Sequence, residues 1–345
     1  MGRLVTIFVV TWIMIKLLIR IAPSVGLMDI PKQRSIHTKI TPRGAGIGMF
    51  VAVALAHLLF LFEEIVRHPF TYTAIFAVFI VGLLDDHRDI RPKTKFFVIF
   101  GAVCLLYVDG LTITSIGHFF GYPIDLGWLA LPFTFFAVSG FTNALNLTDG
   151  LDGLAGSISF IILAILAVIG YEHNDTMIVT LSLSFMAALL AFLLFNWNPA
   201  SIFMGDSGSL TLGFVISLLS IKALAYIEPT SVFFIAALPI IDTLTVIIRR
   251  KRSGRPIFAP DKHHLHHVML HFFRGDVKKT VIFLALLQLL YSLLGLNLTD
   301  YSHQHFTLLF FILNEVIFYI LLEGMLKKQN RHTTRRNERR KRLEH

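Results

Sequence analysis

Charge and cysteine are what this chain is short of. Only 15% of its 345 residues are charged, against 55% hydrophobic, and the mean hydropathy is +0.69. Soluble domains carry about 25% charged residues. So apolar a chain has too little polar surface to cover a water-soluble fold, and the membrane is its natural solvent. There is one cysteine, Cys104, inside an apolar run. That excludes an internal disulfide and any cysteine-based metal site. No internal repeat and no polar stretch the size of a soluble domain is present, which implies one domain. The net charge of +9 is concentrated in the loops and the tail. Basic segments beside membrane spans face anionic lipid, so nucleic acid is not implied.

What is abundant is long apolar runs. A helix needs roughly 20 apolar residues to cross the hydrocarbon core. Runs fall at about 4–21, 44–62, 69–84, 96–110, 128–145, 155–171, 177–195, 208–226, 231–248, 280–297 and 305–326. The expectation is an all-α polytopic membrane protein with about eleven transmembrane helices, because lipid leaves no other partner for backbone polar groups. The first run has no small-residue cleavage site and reads as a retained helix. Residues 1–326 form the membrane domain. Residues 327–345 form a basic cytosolic tail, read from composition as disordered and lipid-hugging. The terminal Leu343-Glu344-His345 resembles a tag remnant.

The loops between alternate spans divide sharply by charge. Of 31 Lys and Arg, 26 fall in 22–43, 85–95, 249–279 and the tail, all on one side. The opposite set holds only Arg3, Arg67 and Lys222. The positive-inside rule puts the basic side in the cytosol, the N-terminus outside and the C-terminus inside. One missed helix would destroy this asymmetry.

Nearly all chemistry-bearing residues lie on that basic side. Gly82-Leu-Leu-Asp-Asp-His-Arg-Asp89 pairs Asp85 with Asp86, adjacent carboxylates suited to a hard cation; alone they could be a solvated helix end. Asn143-Ala-Leu-Asn-Leu-Thr-Asp-Gly-Leu-Asp-Gly153 places Asp149 and Asp152 three apart, on one face if helical. A cap and turn would explain one Asp, but not two Asn, two Asp and two Gly. In Phe203-Met-Gly-Asp-Ser-Gly-Ser209, Asp206 stands at a helix start, where a carboxylate can hold Mg²⁺ against phosphates. The Gly-Asp-Ser-Gly string invites a serine-protease reading, but a triad needs a base and an oxyanion hole. Asp261-Lys-His-His-Leu-His-His267 crowds four histidines, which favours a donor-rich phosphate patch over tetrahedral zinc. The loop from Asp29 to Gly44 is basic and turn-rich, suited to a polyanion. Asp242, inside a span, is either a polar contact within the bundle or functional.

Together these motifs resemble the polyprenyl-phosphate N-acetylhexosamine-1-phosphate transferases, WecA/TagO branch, with MraY as its sister. Five motifs occur in the family's order over nearly the whole chain. Thr41-Pro-Arg-Gly-Ala-Gly46 and the interrupted histidines fit that branch; Ala45 is commonly Gly there. The resemblance implies transfer of N-acetylhexosamine-1-phosphate, by default GlcNAc-1-phosphate, from a UDP-sugar to undecaprenyl or another polyprenyl phosphate. UMP is released, and the lipid-linked diphosphosugar starts cell-envelope polysaccharide. It implies Asp206 as ligand of Mg²⁺, for which Mn²⁺ can substitute. It implies Asp85 and Asp86 as paired catalytic aspartates, with His264 and His266 also catalytic. It places Asn146, Asp149, Asp152, Phe203, His263, His267, His37, Thr41 and Arg43 against substrate, Phe203 stacking on uracil. It implies a bacterial inner-membrane protein with a cytosolic-face site, membrane lipids as surroundings and a homodimer by analogy with the sister branch. The alternatives are a UDP-MurNAc-pentapeptide phosphotransferase and a multi-span transporter. A transporter would set charges near mid-membrane and show pseudo-repeats.

Overall fold

The computed structural model describes residues 1–31, 39–256, 264–298 and 304–343, with side chains as far as 327. His37 and His263 lie outside the described residues. The helices are α1 (Gly2–Val25), α2 (Ala45–Phe60), α3 (Phe62–Arg67), α4 (Pro69–Arg88), α5 (Pro92–Val108), α6 (Ala130–Thr148) and α7 (Leu154–Glu172). They continue as α8 (Thr176–Asn196), α9 (Asp206–Ala223), α10 (Pro229–Ile235), α11 (Ala237–Arg252), α12 (Leu265–Phe272), α13 (Val277–Asn297) and α14 (Gln304–Leu343). Two small antiparallel pairs accompany them: β1 (Met28–Asp29) with β2 (Thr41–Pro42), and β3 (Ser115–Phe119) with β4 (Tyr122–Asp125).

This is a mostly helical, polytopic membrane protein. Each apolar run falls on helix. Among the described residues, seven helices are long and apolar enough to cross a membrane, or eight if the bent pair α10–α11 counts as one span. Three runs fall outside that set. α2 has 16 residues and α5 has 17. α9 carries Asp206, Lys222 and several Ser and Thr. The exposed faces of α1 and α14 are rows of Val, Ile, Leu and Phe, as expected where lipid is the neighbour. α14 runs on through the basic stretch to Leu343, so the tail expected to lack structure is helical.

At the centre stands α9, buried along almost its whole length and packed by α2, α4, α6, α7 and α8. Its neighbours approach on glycine. A Cβ at Gly82 of α4 would lie 2.5 Å from the Asp206 carbonyl oxygen. One at Gly46 of α2 would overlap the Gly208 backbone. Those two contacts clamp the first turn of α9.

The ninth run is not one helix. α10 and α11 meet at 89°. Pro239 sits at the third position of α11, has no N–H to offer, and its ring excludes the carbonyl four residues back. That carbonyl, Ile235 O, accepts from Gln288 Nε2 and Ser292 Oγ, each at 2.8 Å. The Leu238 N–H donates to Gln288 Oε1 at 3.0 Å. One buried amide on α13 thus satisfies both ends of the break.

Candidate active site

The site is built on the start of α9. Asp206 is the first residue of that helix, as its flanking glycines suggested, and the helix start needs acceptors for its free N–H groups. Asp86, buried at the end of α4, supplies them: its two oxygens accept from Asp206 N at 2.8 Å and Ser207 N at 3.0 Å. Asp86 therefore caps α9, which releases the Asp206 side chain from that task. Asp85 takes no part in that cap and lies instead beside the Asp206 side chain. Its Oδ1 accepts from Ile90 N at 2.6 Å and its Oδ2 from Lys95 Nζ at 2.6 Å. The same ammonium reaches Asp206 Oδ2 at 2.5 Å. Lys95, which the sequence offered only as one basic residue among several, bridges the two carboxylates.

The Asn146–Gly153 segment closes around the other side of Asp206. Asn146 Nδ2 donates to Asp206 Oδ1 at 3.1 Å and to Ser209 Oγ at 2.8 Å. Asp149 and Asp152 do not share a helical face, contrary to the spacing argument. α6 ends at Thr148 and both acids lie in the turn before α7. Gly153 there has φ +81°, a conformation that glycine adopts freely. Asp152 Oδ2 accepts from Asn198 Nδ2 at 2.8 Å and Ala200 N at 3.0 Å, tying this turn to the 196–202 loop. Asn196 makes the same tie from the opposite side, accepting from Gly153 N at 2.8 Å and donating to Ile202 O at 2.9 Å. The sequence reading passed over Asn196 and Asn198. Two amides in an uncharged loop on the basic side were the available signal.

Main-chain pairing brings the first loop to the Phe203 loop. Phe203 N donates to Pro42 O at 2.8 Å, and Ala45 N donates to Phe203 O at 3.0 Å. Arg43 and Phe203 are thereby set side by side. Arg43 Nε is buried without a hydrogen-bond partner, a donor left for an anion. Thr41 is buried and donates to Lys39 O at 3.1 Å, which makes it part of the loop's frame.

The three described histidines of the 263–267 motif separate into three roles. His264 is buried, its Nδ1 2.9 Å from Asp242 Oδ2. His266 is buried against Gly150, where any Cβ would strike its Nε2. Burial, then the nearby His267, push its imidazole down to about 3, so it is neutral. His267 alone of the three lines the cavity described next.

A cavity of about 440 Å³ gathers these groups, within the usual range for small-molecule sites. Its walls include Arg43, Asn146, Asp149, Asp152, Phe203, Asp206 and His267, together with Asp29 and Asp86. Acid dominates it. Asp149 is pushed up to about 7 by burial and then by the charges of Asp206, Asp86 and Asp152, with no hydrogen bond offsetting them. Crowded hard oxygens of this kind suit Mg²⁺. No group of three acidic, His or Cys side chains forms a ready cage among the described residues. Mg²⁺ needs none, since it commonly takes one or two carboxylates plus substrate phosphates. The donor set fits that ion.

Residues 68–224 match the family described as Glycosyl transferase family 4. That stretch holds Asp85, Asp86, Asn146, Asp149, Asp152, Phe203 and Asp206. A Bacillus subtilis protein named probable undecaprenyl-phosphate N-acetylglucosaminyl 1-phosphate transferase is 36% identical over 285 residues, covering 79% of this chain and 78% of its own. The undecaprenyl-phosphate alpha-N-acetylglucosaminyl 1-phosphate transferase of Yersinia pestis is 30% identical over 73% of this chain and 71% of its own. The protein of that name from Escherichia coli K12 is 28% identical over 87% and 84%.

Proposed function

The chain belongs to glycosyl transferase family 4, and from that premise we propose that it transfers GlcNAc-1-phosphate from UDP-GlcNAc to undecaprenyl phosphate. The products are UMP and undecaprenyl diphosphate-GlcNAc. The observation that carries this reading is the convergence of Asp206, Asn146 and Asp149 with Arg43 and Phe203 around one cavity. These are the groups a nucleoside diphosphate sugar requires.

An oxygen of the lipid phosphate attacks the β-phosphorus of UDP-GlcNAc, and the bond to the UMP oxygen breaks. Such transfers demand positioning and charge neutralisation more than covalent help from the protein. Asp206 would hold Mg²⁺, which when bound would supply charge neutralisation on the diphosphate. Asn146 fixes the Asp206 carboxylate by hydrogen bonding to Oδ1. Asp86 fixes its backbone. Phe203 offers a ring for the uracil, and Arg43 and His267 offer donors to the phosphates. Asp85 orients the lipid phosphate or accepts its proton. A phosphate's second pKa is near 6, so a weak base suffices. Both Asp85 oxygens are engaged by Ile90 N and Lys95, so that role requires Lys95 to move toward the substrate. The basic loops set this end of the bundle at the cytosolic surface of the bacterial inner membrane, where nucleotide sugar and lipid phosphate meet. In this topology all eleven runs are embedded, with the N-terminus outside and the C-terminus inside.

Purified protein in liposomes with undecaprenyl phosphate is expected to release UMP from UDP-GlcNAc, and not without the lipid phosphate. Release from UDP-MurNAc-pentapeptide instead, or from neither donor, would overturn the assignment.

A further inference from the structure

Asp242 takes no part in the reaction as derived, yet it is 5% exposed and both its oxygens are committed. Oδ2 lies 2.9 Å from His264 Nδ1, and Oδ1 accepts from Leu265 N at 2.7 Å. A buried carboxylate without such partners would be costly. Its partners belong to the start of α12, and α12 is otherwise a helix of eight residues, too short to hold itself in place. An anion at a helix start also gains from the helix dipole.

From this anchor a train of rings leads to the cavity. His264 stacks on His266 with centroids 5.8 Å apart and planes 10° from parallel. His266 meets His267 at 4.3 Å, and its Nε2 face is stopped by Gly150 of the Asp149–Asp152 turn. His267 lines the cavity. Each contact leaves α12 little freedom to slide or rotate.

We propose that Asp242 is a positioning residue for the transfer. By docking the start of α12 on α11, it places His267 at the diphosphate side of the cavity. An ionised carboxylate only accepts, so both partners must donate. That puts a proton on Nδ1 of His264. The proposal rests on the transferase reading above.

UMP release is measured at varied UDP-GlcNAc for wild type, Asp242→Ala, Asp242→Asn, His264→Ala and the Asp242→Ala/His264→Ala pair, each monodisperse in detergent. Asp242→Ala is expected to raise KM by about 100-fold at most, with a smaller change in kcat. The double variant is expected to lose little beyond the single ones, because both remove one tether. Asp242→Asn retains an acceptor for Leu265 N and offers an N–H to a His264 that has moved its proton to Nε2. Its KM is expected near wild type, with the Nδ1–H signal of His264 lost in a ¹⁵N-histidine spectrum. If Asp242→Ala does not fold, His264→Ala carries the test through a several-fold rise in KM. An unchanged KM in Asp242→Ala and His264→Ala, or losses that multiply independently in the pair, would overturn the positioning role. Absence of UMP release from wild type would count against the transferase reading instead, so the two failures are told apart.

Discussion

Asp175 and Asp206 both stand at helix starts, at opposite ends of the bundle, and they are used differently. Asp175 caps its own helix, accepting from Ile178 N at 3.0 Å, and spends its other oxygen on Tyr226 OH at 2.9 Å and Lys222 at 3.3 Å. Asp109, at the same end, takes both the N–H and the hydroxyl of Thr71 at 2.7 Å. Acids there are spent on structure. Asp206 caps nothing, because Asp86 caps α9 in its place. Its carboxylate is shared between Asn146 and Lys95, beside an Asp149 pushed up to about 7. Relieved of structural duty and set among other acids, Asp206 is the carboxylate to which the proposed Mg²⁺ role falls.

Substitutions at the two ends should separate them. The largest effect is expected from Asp206→Ala, which should reduce UMP release on the order of 10³-fold and leave the fold intact. Retention of more than a tenth of the rate would remove Asp206 from the centre of the site. Next is Gly82→Ala, whose new Cβ would press on the Asp206 carbonyl from 2.5 Å. A displacement of about 1 Å there should cost about 100-fold in rate, read in the same assay. An unaltered rate would show that the α4–α9 clamp is irrelevant to the chemistry.

A smaller effect concerns protons. In the free protein the Asp149 carboxyl titrates near 7. Below that pH it is protonated and neutral; above it the carboxylate is available to a cation. Divalent-cation affinity should therefore rise as pH increases through about 7 and level off above it. Calorimetry in buffers of different ionisation enthalpy should show proton release on binding in that window. Flat affinity across it would exclude Asp149. The smallest effect on catalysis is expected from Asp175→Ala. It should lower stability by about 1–3 kcal/mol, seen in thermal unfolding, and leave the rate near wild type.

Much of this was visible in the sequence, because apolar runs and loop charge report directly on the solvent each segment meets. The helices, the helix start at Asp206 and the gathering of Asp85, Asn146, Asp149, Asp152 and Phe203 follow from local pattern and motif. What escaped depends on contacts far apart in the chain. The bend before Pro239 was signalled by the proline itself, but its satisfaction by Gln288 fifty residues on was not. Asp85 and Asp86 are neighbours of identical chemistry, and only the direction in which α4 meets α9 makes one a cap and the other a partner of Lys95. The same holds for the histidines. Helix phase turns His267 toward the cavity and buries His266, while Asp242 holds His264 just before the helix, and no count of histidines within a short motif contains that arrangement. Asp242 drew attention as an acid inside a span; its partner lies 22 residues further along the chain.

The contrast between the two ends is tested most directly by counting bound cation. Mn²⁺ binding followed by electron paramagnetic resonance, in wild type, Asp206→Ala and Asp175→Ala with UDP-GlcNAc present, reads it without relying on turnover. The expected result is a bound ion in wild type and Asp175→Ala, lost in Asp206→Ala. Equal binding in all three proteins, or none in wild type, would contradict the assignment of the acidic end as the metal-dependent phosphoryl-transfer centre.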